Sequence, residues 1–268
     1  MSVFYDKYGG RIKYFKRLIY KGFYQLRYFI SFLLSYLFED ERCIVCTDRC
    51  YALPLCKKCL KKFLTISFMS GKNRCRICGK TLIGEHNLCI ECRTAPVLLN
   101  ASGVYPIFSY RLFYKNLVFE WKRQGRRNLS CIFAMLFDSA IKKLGLTDLP
   151  IVNVPPRKGK IKTKGWDQIL DVCKILTHVY GYKILNLLER ESSIEQKKKN
   201  RQERLSSTCK EYKPSEKLKK LYDAKAVPKE VILIDDVFTT GATAESCCQI
   251  LKKYDVSKVK VIILFIVD

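Results

Sequence analysis

Acidic residues are scarce in this chain: 50 Lys and Arg stand against 25 Asp and Glu, a net charge of +25 over 268 residues. Such a field draws polyanions, whether nucleic acid, anionic lipid or the phosphates of a small substrate. Long apolar runs are lacking too. The run at residues 28–38 is well short of the ~20 residues that span a bilayer. It also comes late for a secretory leader, and Glu39, Asp40 and Glu41 follow it with no small-residue cleavage site. There is no GxxxxGKS/T and no GxGxxG, which removes the P-loop and the dinucleotide-binding turn. Neither a glutamine-hydrolysing nucleophile, such as an N-terminal cysteine, nor a base-recognition element is legible.

Cysteine, in contrast, is abundant at 14 residues. Eight of them form four CxxC doublets, Cys43/Cys46, Cys56/Cys59, Cys75/Cys78 and Cys89/Cys92, separated by nine, fifteen and ten residues. A CxxC turn places two sulfurs on one side of a knuckle, and two knuckles make a tetrahedral four-sulfur site suited to Zn²⁺. One or two structural ions are expected. Sequential pairing is favoured over a cross-braced arrangement, because each set then closes a short local loop. Cys50 and His86 lie between knuckles as spectators or substitute ligands. Thiolates held by metal imply a reducing, cytoplasmic setting rather than disulfides.

The stretch around which the chain is organised is VILIDDVFTTGATAESCCQIL, residues 231–251. Its first four residues are large aliphatics, too apolar for an exposed strand, and predict a buried parallel one. Asp235 and Asp236 stand where that strand is expected to end. Thr239, Thr240, Gly241, Ala242 and Thr243 form a small, hydroxyl-rich turn, and a helix is predicted over 244–253. Unpaired N–H groups at the start of a helix, with the helix dipole, bind phosphate. Gly241 lets the backbone approach the anion. The two acids would repel a phosphate directly, so they belong one sugar-length away, on ribose hydroxyls or on Mg²⁺ through water. Strand, acidic pair, hydroxyl turn and helix together read as a phosphate-and-sugar site.

The remainder supplies a sheet and its covers. Residues 1–42 are aromatic and basic, and suit either a helix lying on an anionic membrane surface or one that docks on the next domain. Helices are predicted over 110–124 and 129–143, with Leu112, Leu117, Val118 and Trp121 on one face and Lys122, Arg123, Arg126 and Arg127 at the junction. A second buried strand, 151–154, runs into Pro155-Pro156 and a basic loop holding Arg157, Lys158, Lys160, Lys162 and Lys164. A helix over 166–180 and a short strand over 182–187 follow. Between 190 and 220 charge dominates, with Lys197, Lys198, Lys199, Arg201 and Arg204. That loop suits a lid over a ligand or a contact to single-stranded DNA, with Trp166 and Trp121 available to stack bases. A strand over 259–267 completes a doubly wound α/β sheet whose ligand belongs at the strand ends.

Residues 235–243, DDVFTTGAT, resemble the motif of type I phosphoribosyltransferases that binds phosphoribosyl pyrophosphate (PRPP). By that resemblance Asp235 and Asp236 contact the ribose hydroxyls, Thr239 to Thr243 wrap the 5′-phosphate, and Arg157 and Lys158 lie on the loop that holds the pyrophosphate. The segment VNVPPRKGKIKTKGWDQIL, Gln196 with Arg204, the four CxxC knuckles and the LLSYLF run before Cys43 resemble the ComF/GntX family of competence proteins, over about residues 30–268. Two departures stand out. Lys164-Gly165-Trp166-Asp167-Gln168 replaces the family's RGFNQ and puts an extra negative charge by the anion site; Lys199-Asn200 replaces a Leu-Ser pair.

The resemblance implies a double zinc ribbon at 43–95 and a phosphoribosyltransferase-like domain at 96–268, behind the segment 1–42. It implies PRPP and Mg²⁺ as ligands and a role in DNA uptake or processing, with phosphoribosyl transfer catalysed through Asp235 and Asp236. The competing expectation is a module that senses PRPP and binds single-stranded DNA without turnover.

Overall fold

The structure, a computed structural model of the chain, describes residues 42–50, 53–64, 73–157, 165–190 and 211–267, with positions 26, 159, 161 and 163. The expectations for the N-terminal segment, for Lys158, Lys160, Lys162 and Lys164, and for the basic loop 197–204 fall outside the described residues.

In chain order, α1 (Lys57–Phe63) and α2 (Ile90–Thr94) belong to the cysteine-rich region. There follow β1 (Val104–Ser109), α3 (Leu112–Lys122), α4 (Leu129–Lys143), β2 (Ile151–Asn153) and α5 (Gln168–Ile175), which a π-helical turn (Leu176–Tyr180) prolongs. Then come β3 (Leu188–Arg190), β4 (Tyr212–Pro214), α6 (Glu216–Asp223), β5 (Glu230–Phe238), α7 (Ala242–Lys253) and β6 (Lys258–Ile266). Four strands form one parallel sheet in the order β1-β6-β5-β2. β3 and β4 pair antiparallel in a separate ribbon.

The central strands are apolar on both faces because both faces are covered. Ile232, Ile234, Ile262 and Leu264 point into a layer with Trp121, Phe133 and Phe137 of the helices α3 and α4. Val231, Leu233, Val261 and Ile263 point into the other, with Leu218 of α6 and Cys247, Cys248 and Leu251 of α7. Phe265 anchors the first layer, with Tyr114 and Phe133 ring centroids at 5.9 and 5.7 Å. Trp121 closes it, donating from Nε1 to Ser130 Oγ at 2.9 Å.

Helix starts are specified locally. Asp167 accepts from Leu170 N–H at 3.1 Å to cap α5, and Ser215 accepts from Leu218 N–H at 3.2 Å to cap α6. The chain departs from sequence expectation at several places. β1 was not expected, and it pairs with β6 at one edge of the sheet. Leu112 is 91% exposed and shares no face with Leu117, Val118 and Trp121, since it opens α3 at φ +40°, outside the helix geometry that aligns the others. The strand expected over 182–187 contracts to one parallel bridge, Ile184 to Ile151. β5 does not stop at the acidic pair but runs on to Phe238, because Val237 and Phe238 still pair with Phe265 and Ile266 of β6.

Candidate functional site: a mixed-charge cleft at the strand ends

The ligand site of a parallel sheet lies beyond the carboxyl ends of its strands, and a cleft of about 540 Å³ lies there. Asp235, Asp236 and Val237 of β5 form one side of it, and Val154, Pro155, Pro156 and Arg157 beyond β2 form another. Lys122 and Arg123 enter from the end of α3, Asp167 and Gln168 from the start of α5, and Arg190 and Tyr212 from the antiparallel ribbon. Thr243 at the start of α7 completes the lining.

Adjacent residues on a strand face opposite ways, so the two acids meet different neighbours. Asp236 pairs with Lys122 Nζ at 2.7 Å. Asp235 accepts from the Asp236 N–H at 2.8 Å. Burial, and after it the charge of Asp236, pushes the Asp235 carboxyl up to about 8 against the pull of that N–H and of Lys122, with Asp167 adding to the rise. One carboxylate is thus neutralised by an ammonium, while the other is driven towards its protonated form. On the far wall the Arg190 guanidinium pairs with Glu211 and lies over the Tyr212 ring, 5.2 Å from its centroid. Burial raises the Tyr212 phenol to about 12 although Arg190 opposes the shift.

The loop after β5 is fixed by one glycine. Gly241 has φ +86°, and a Cβ there would stand 2.7 Å from Phe238 Cζ. No other residue type combines that torsion with that contact. Thr239 and Thr240 are exposed, Gly241 is buried, and Ala242 and Thr243 are half-buried. Of the sequence-predicted binding residues, Asp235, Asp236, Thr243 and Arg157 therefore line one cleft, and the other loop residues stand next to it in the chain.

The basic corner at 122–127 divides. Lys122 and Arg123 face the cleft. Arg126 pairs with Glu120 at 2.7 Å, and Arg127 grips Asp171 through two bonds of 2.9 and 3.0 Å while covering Trp166. Trp121, expected to stack bases, is fully buried and is part of the core. Arg190 and Tyr212 are the cleft residues that the sequence reading missed. They sit on three-residue strands too short to show a period.

The eight knuckle cysteines gather into two sets in the sequential pairing, Cys43/Cys46/Cys56/Cys59 and Cys75/Cys78/Cys89/Cys92, each with its sulfurs within 4.8 Å of one another. Cys46 Sγ to Cys56 Sγ is 3.6 Å, and Cys78 Sγ to Cys89 Sγ is 3.7 Å. A tetrahedral site with Zn–S of ~2.3 Å has sulfur–sulfur edges of ~3.8 Å, so both sets fit zinc. They repeat one construction: a knuckle closed by Thr47 N–H to Cys43 O, or Gly79 N–H to Cys75 O, each at 2.9 Å, then a CxxC at the start of a helix. Each set leaves no coordination position for a reactant, and the role is structural. The first set packs into the α3–α4 layer, where Tyr114 Oη donates to Phe63 O at 2.8 Å. The second packs into the opposite layer, with Gly79 against Pro106 of β1. Cys50 and His86 belong to neither set.

A four-stranded parallel sheet with helices on both faces, preceded by two four-cysteine modules, defines the molecule as a phosphoribosyltransferase-like α/β fold joined to a double zinc ribbon. The chain is similar to competence protein ComFC of Streptococcus pneumoniae (strain ATCC BAA-255 / R6), 27% identical over 210 residues that make up 77% of this chain and 84% of that protein. It is a homologue of ComFC, as the ComF/GntX resemblance implied. No family model matches the chain. Among the described residues no helix is long and apolar enough to cross a membrane.

Proposed function

We propose that this protein binds PRPP with Mg²⁺ in the cleft at the strand ends and acts in DNA uptake or DNA processing. The observation that carries the reading is the asymmetric acidic pair. Asp236 is held by Lys122 at 2.7 Å and Asp235 is half-buried with its carboxyl pushed towards the protonated form, with Arg157 and Arg190 on the surrounding walls. Acids and cations facing one cleft are what a phosphorylated ribose needs. The ribose hydroxyls donate to Asp235 and Asp236, Thr243 and the N–H groups that open α7 take the 5′-phosphate, and Arg157 with Lys158 takes the pyrophosphate. Water-bridged Mg²⁺ on the acids and the diphosphate would offset charge on the leaving group. Attack by a nucleophile on ribose C1 would then break the C1–O bond and release pyrophosphate with its electron pair. The homology to ComFC supports the place in DNA handling.

Calorimetric titration of PRPP with and without Mg²⁺ tests this. The intact chain should bind in the micromolar range, ~8 kcal/mol, and Asp235→Ala/Asp236→Ala should abolish the heat. Equal binding by the two proteins would sink the assignment.

The net charge of +25 favours a second reading, a PRPP-sensing module that binds single-stranded DNA without turnover. Its affinity should fall steeply with salt. Salt-insensitive binding, or none, counts against it.

A further inference from the structure

The second four-cysteine module and the phosphate loop are joined by one side chain. Glu245 lies in the first turn of α7, four residues after Gly241. Its Oε2 accepts from the N–H groups of Leu99 at 2.9 Å and Asn100 at 3.1 Å, and its Oε1 accepts from Asn100 Nδ2 at 2.5 Å. Those donors belong to the segment that leaves α2, which carries the ligand Cys92. One residue earlier, Leu98 is buried and stands 3.4 Å from the place a Gly241 Cβ would occupy. Leu98 shares a core layer with Cys75, Cys78, Cys89 and Cys92, and with Phe238 and Ala244 on either side of the loop.

Two physical consequences follow. A carboxylate in the first turn of a helix is drawn to the free N–H groups and the positive end of the dipole, where it competes with a phosphate. Three donors from 99–100 hold the Glu245 carboxylate off that position. The same bonds, with Leu98 beneath, fix the level of the Gly241 turn relative to the cysteine module, and a loop that binds an anion through backbone N–H groups works only when it is held in place.

We propose that Glu245 is a positioning residue that couples zinc occupancy of the Cys75/Cys78/Cys89/Cys92 set to phosphate binding by the 239–243 loop. This rests on the reading that the cleft takes PRPP. Coupling between two sites is reciprocal: if the zinc-bound module favours the binding loop, bound PRPP holds the zinc.

The test uses the full chain and two readouts, zinc release to a chromophoric chelator and PRPP affinity by calorimetry. With saturating PRPP and Mg²⁺, one of two zinc-release phases should slow by roughly fivefold or more, and the other should not change. Glu245→Ala should weaken PRPP binding by a similar factor, speed that same phase and remove its response to PRPP. Glu245→Gln, which keeps one acceptor oxygen, should lie between. Tyr114→Phe, which loosens the first module by removing the bond to Phe63 O, should change the other phase and leave PRPP affinity as it is. Wild-type PRPP affinity in Glu245→Ala, or zinc release indifferent to bound PRPP, overturns the coupling. If the wild-type chain takes up no PRPP, the reading of the cleft fails and the clamp is judged on zinc alone. Faster release of one zinc in Glu245→Ala then supports it, and unchanged release overturns it.

Discussion

Lys122 Nζ lies 2.7 Å from Asp236 Oδ2, bringing the last residue of α3 onto the end of the central strand. The ammonium is 32% exposed and the carboxylate 16%, so the pair is shielded enough to matter and open enough to rearrange around a ligand. With Asp167, Asp235 and Asp236 all on the cleft, a polyanion meets three carboxyl groups, and Lys122 offsets one of them. Lys122→Met should weaken Mg·PRPP binding by roughly tenfold, the equivalent of one charge-assisted hydrogen bond of ~1.5 kcal/mol. Lys122→Arg should restore most of it. Titration calorimetry on the three proteins decides, and wild-type affinity in the Met variant would dismiss the role.

The two central strands were legible because they are continuous apolar runs: VILI at 231–234 and VIILFIV at 261–267 need both faces covered. The edge strand β1 was not, since VYPIFS carries Pro106 inside a run of six residues. The acidic pair and the Gly241 turn were legible because chemistry demands those residues in adjacent positions. Zinc pairing followed from loop length, and the four sequential sulfurs of each set do converge. Cross-chain geometry was not legible. Lys122 stood in a basic cluster of four, and nothing local separates it and Arg123, which face the cleft, from Arg126 and Arg127, which pair with Glu120 and Asp171. Arg190 and Tyr212 sit on a ribbon whose two strands pair over three residues, below the length at which alternation can be read. Trp121 looked like a stacking surface and is core, because one face of α3 needed a large ring to fill the space beside Phe133, 4.4 Å away between centroids.

Gly241→Ala tests the loop separately from its charges. The substitution adds a Cβ 2.7 Å from Phe238 Cζ at φ +86°. The left-handed torsion alone costs ~1 kcal/mol, and the overlap forces either the ring or the turn to move. Urea unfolding should show a loss of about 1–3 kcal/mol, with PRPP binding lost as well. Adding Phe238→Leu should recover part of the stability, since it removes the ring that the new methyl meets. Failure of that rescue would mean that the torsion alone sets the requirement for glycine.

Metal content is predicted by counting sulfurs. Native mass spectrometry should find two zinc ions per chain. Cys78→Ser should reduce this to one, and Cys50→Ser should leave it at two, as Cys50 lies outside both sets. Chelation should also unfold more than the cysteine region. Cys43 and Cys59 share a core layer with Phe133, and Cys75 and Cys78 share one with Val261. Loss of far-ultraviolet circular dichroism beyond what α1 and α2 contribute is the expected signal; a change confined to those two short helices would mean that the sheet holds without its metals.

Asp235 gives stability a pH dependence with a definite sign. Burial and the Asp236 charge raise its carboxyl from the ordinary 3.8 to about 8. Below pH ~4 the group is protonated in both folded and unfolded chains and costs nothing. Between pH ~4 and ~8 the unfolded chain releases the proton while the folded chain keeps it, so stability falls as pH rises. Above pH ~8 both forms are ionised, and the penalty is complete and constant. Asp235→Asn removes the titration and keeps an oxygen that can accept from the Asp236 N–H, the bond of 2.8 Å. The variant should therefore match the wild-type chain near pH 4 and exceed it near pH 8 by more than ~1 kcal/mol, since a tenfold change in proton affinity between folded and unfolded chains is worth about 1.4 kcal/mol. Denaturant midpoints of the ligand-free proteins measured across that range provide the check. A constant difference between the two proteins at every pH would show that Asp235 is ionised throughout, with Lys122 serving both acids of the pair rather than Asp236 alone.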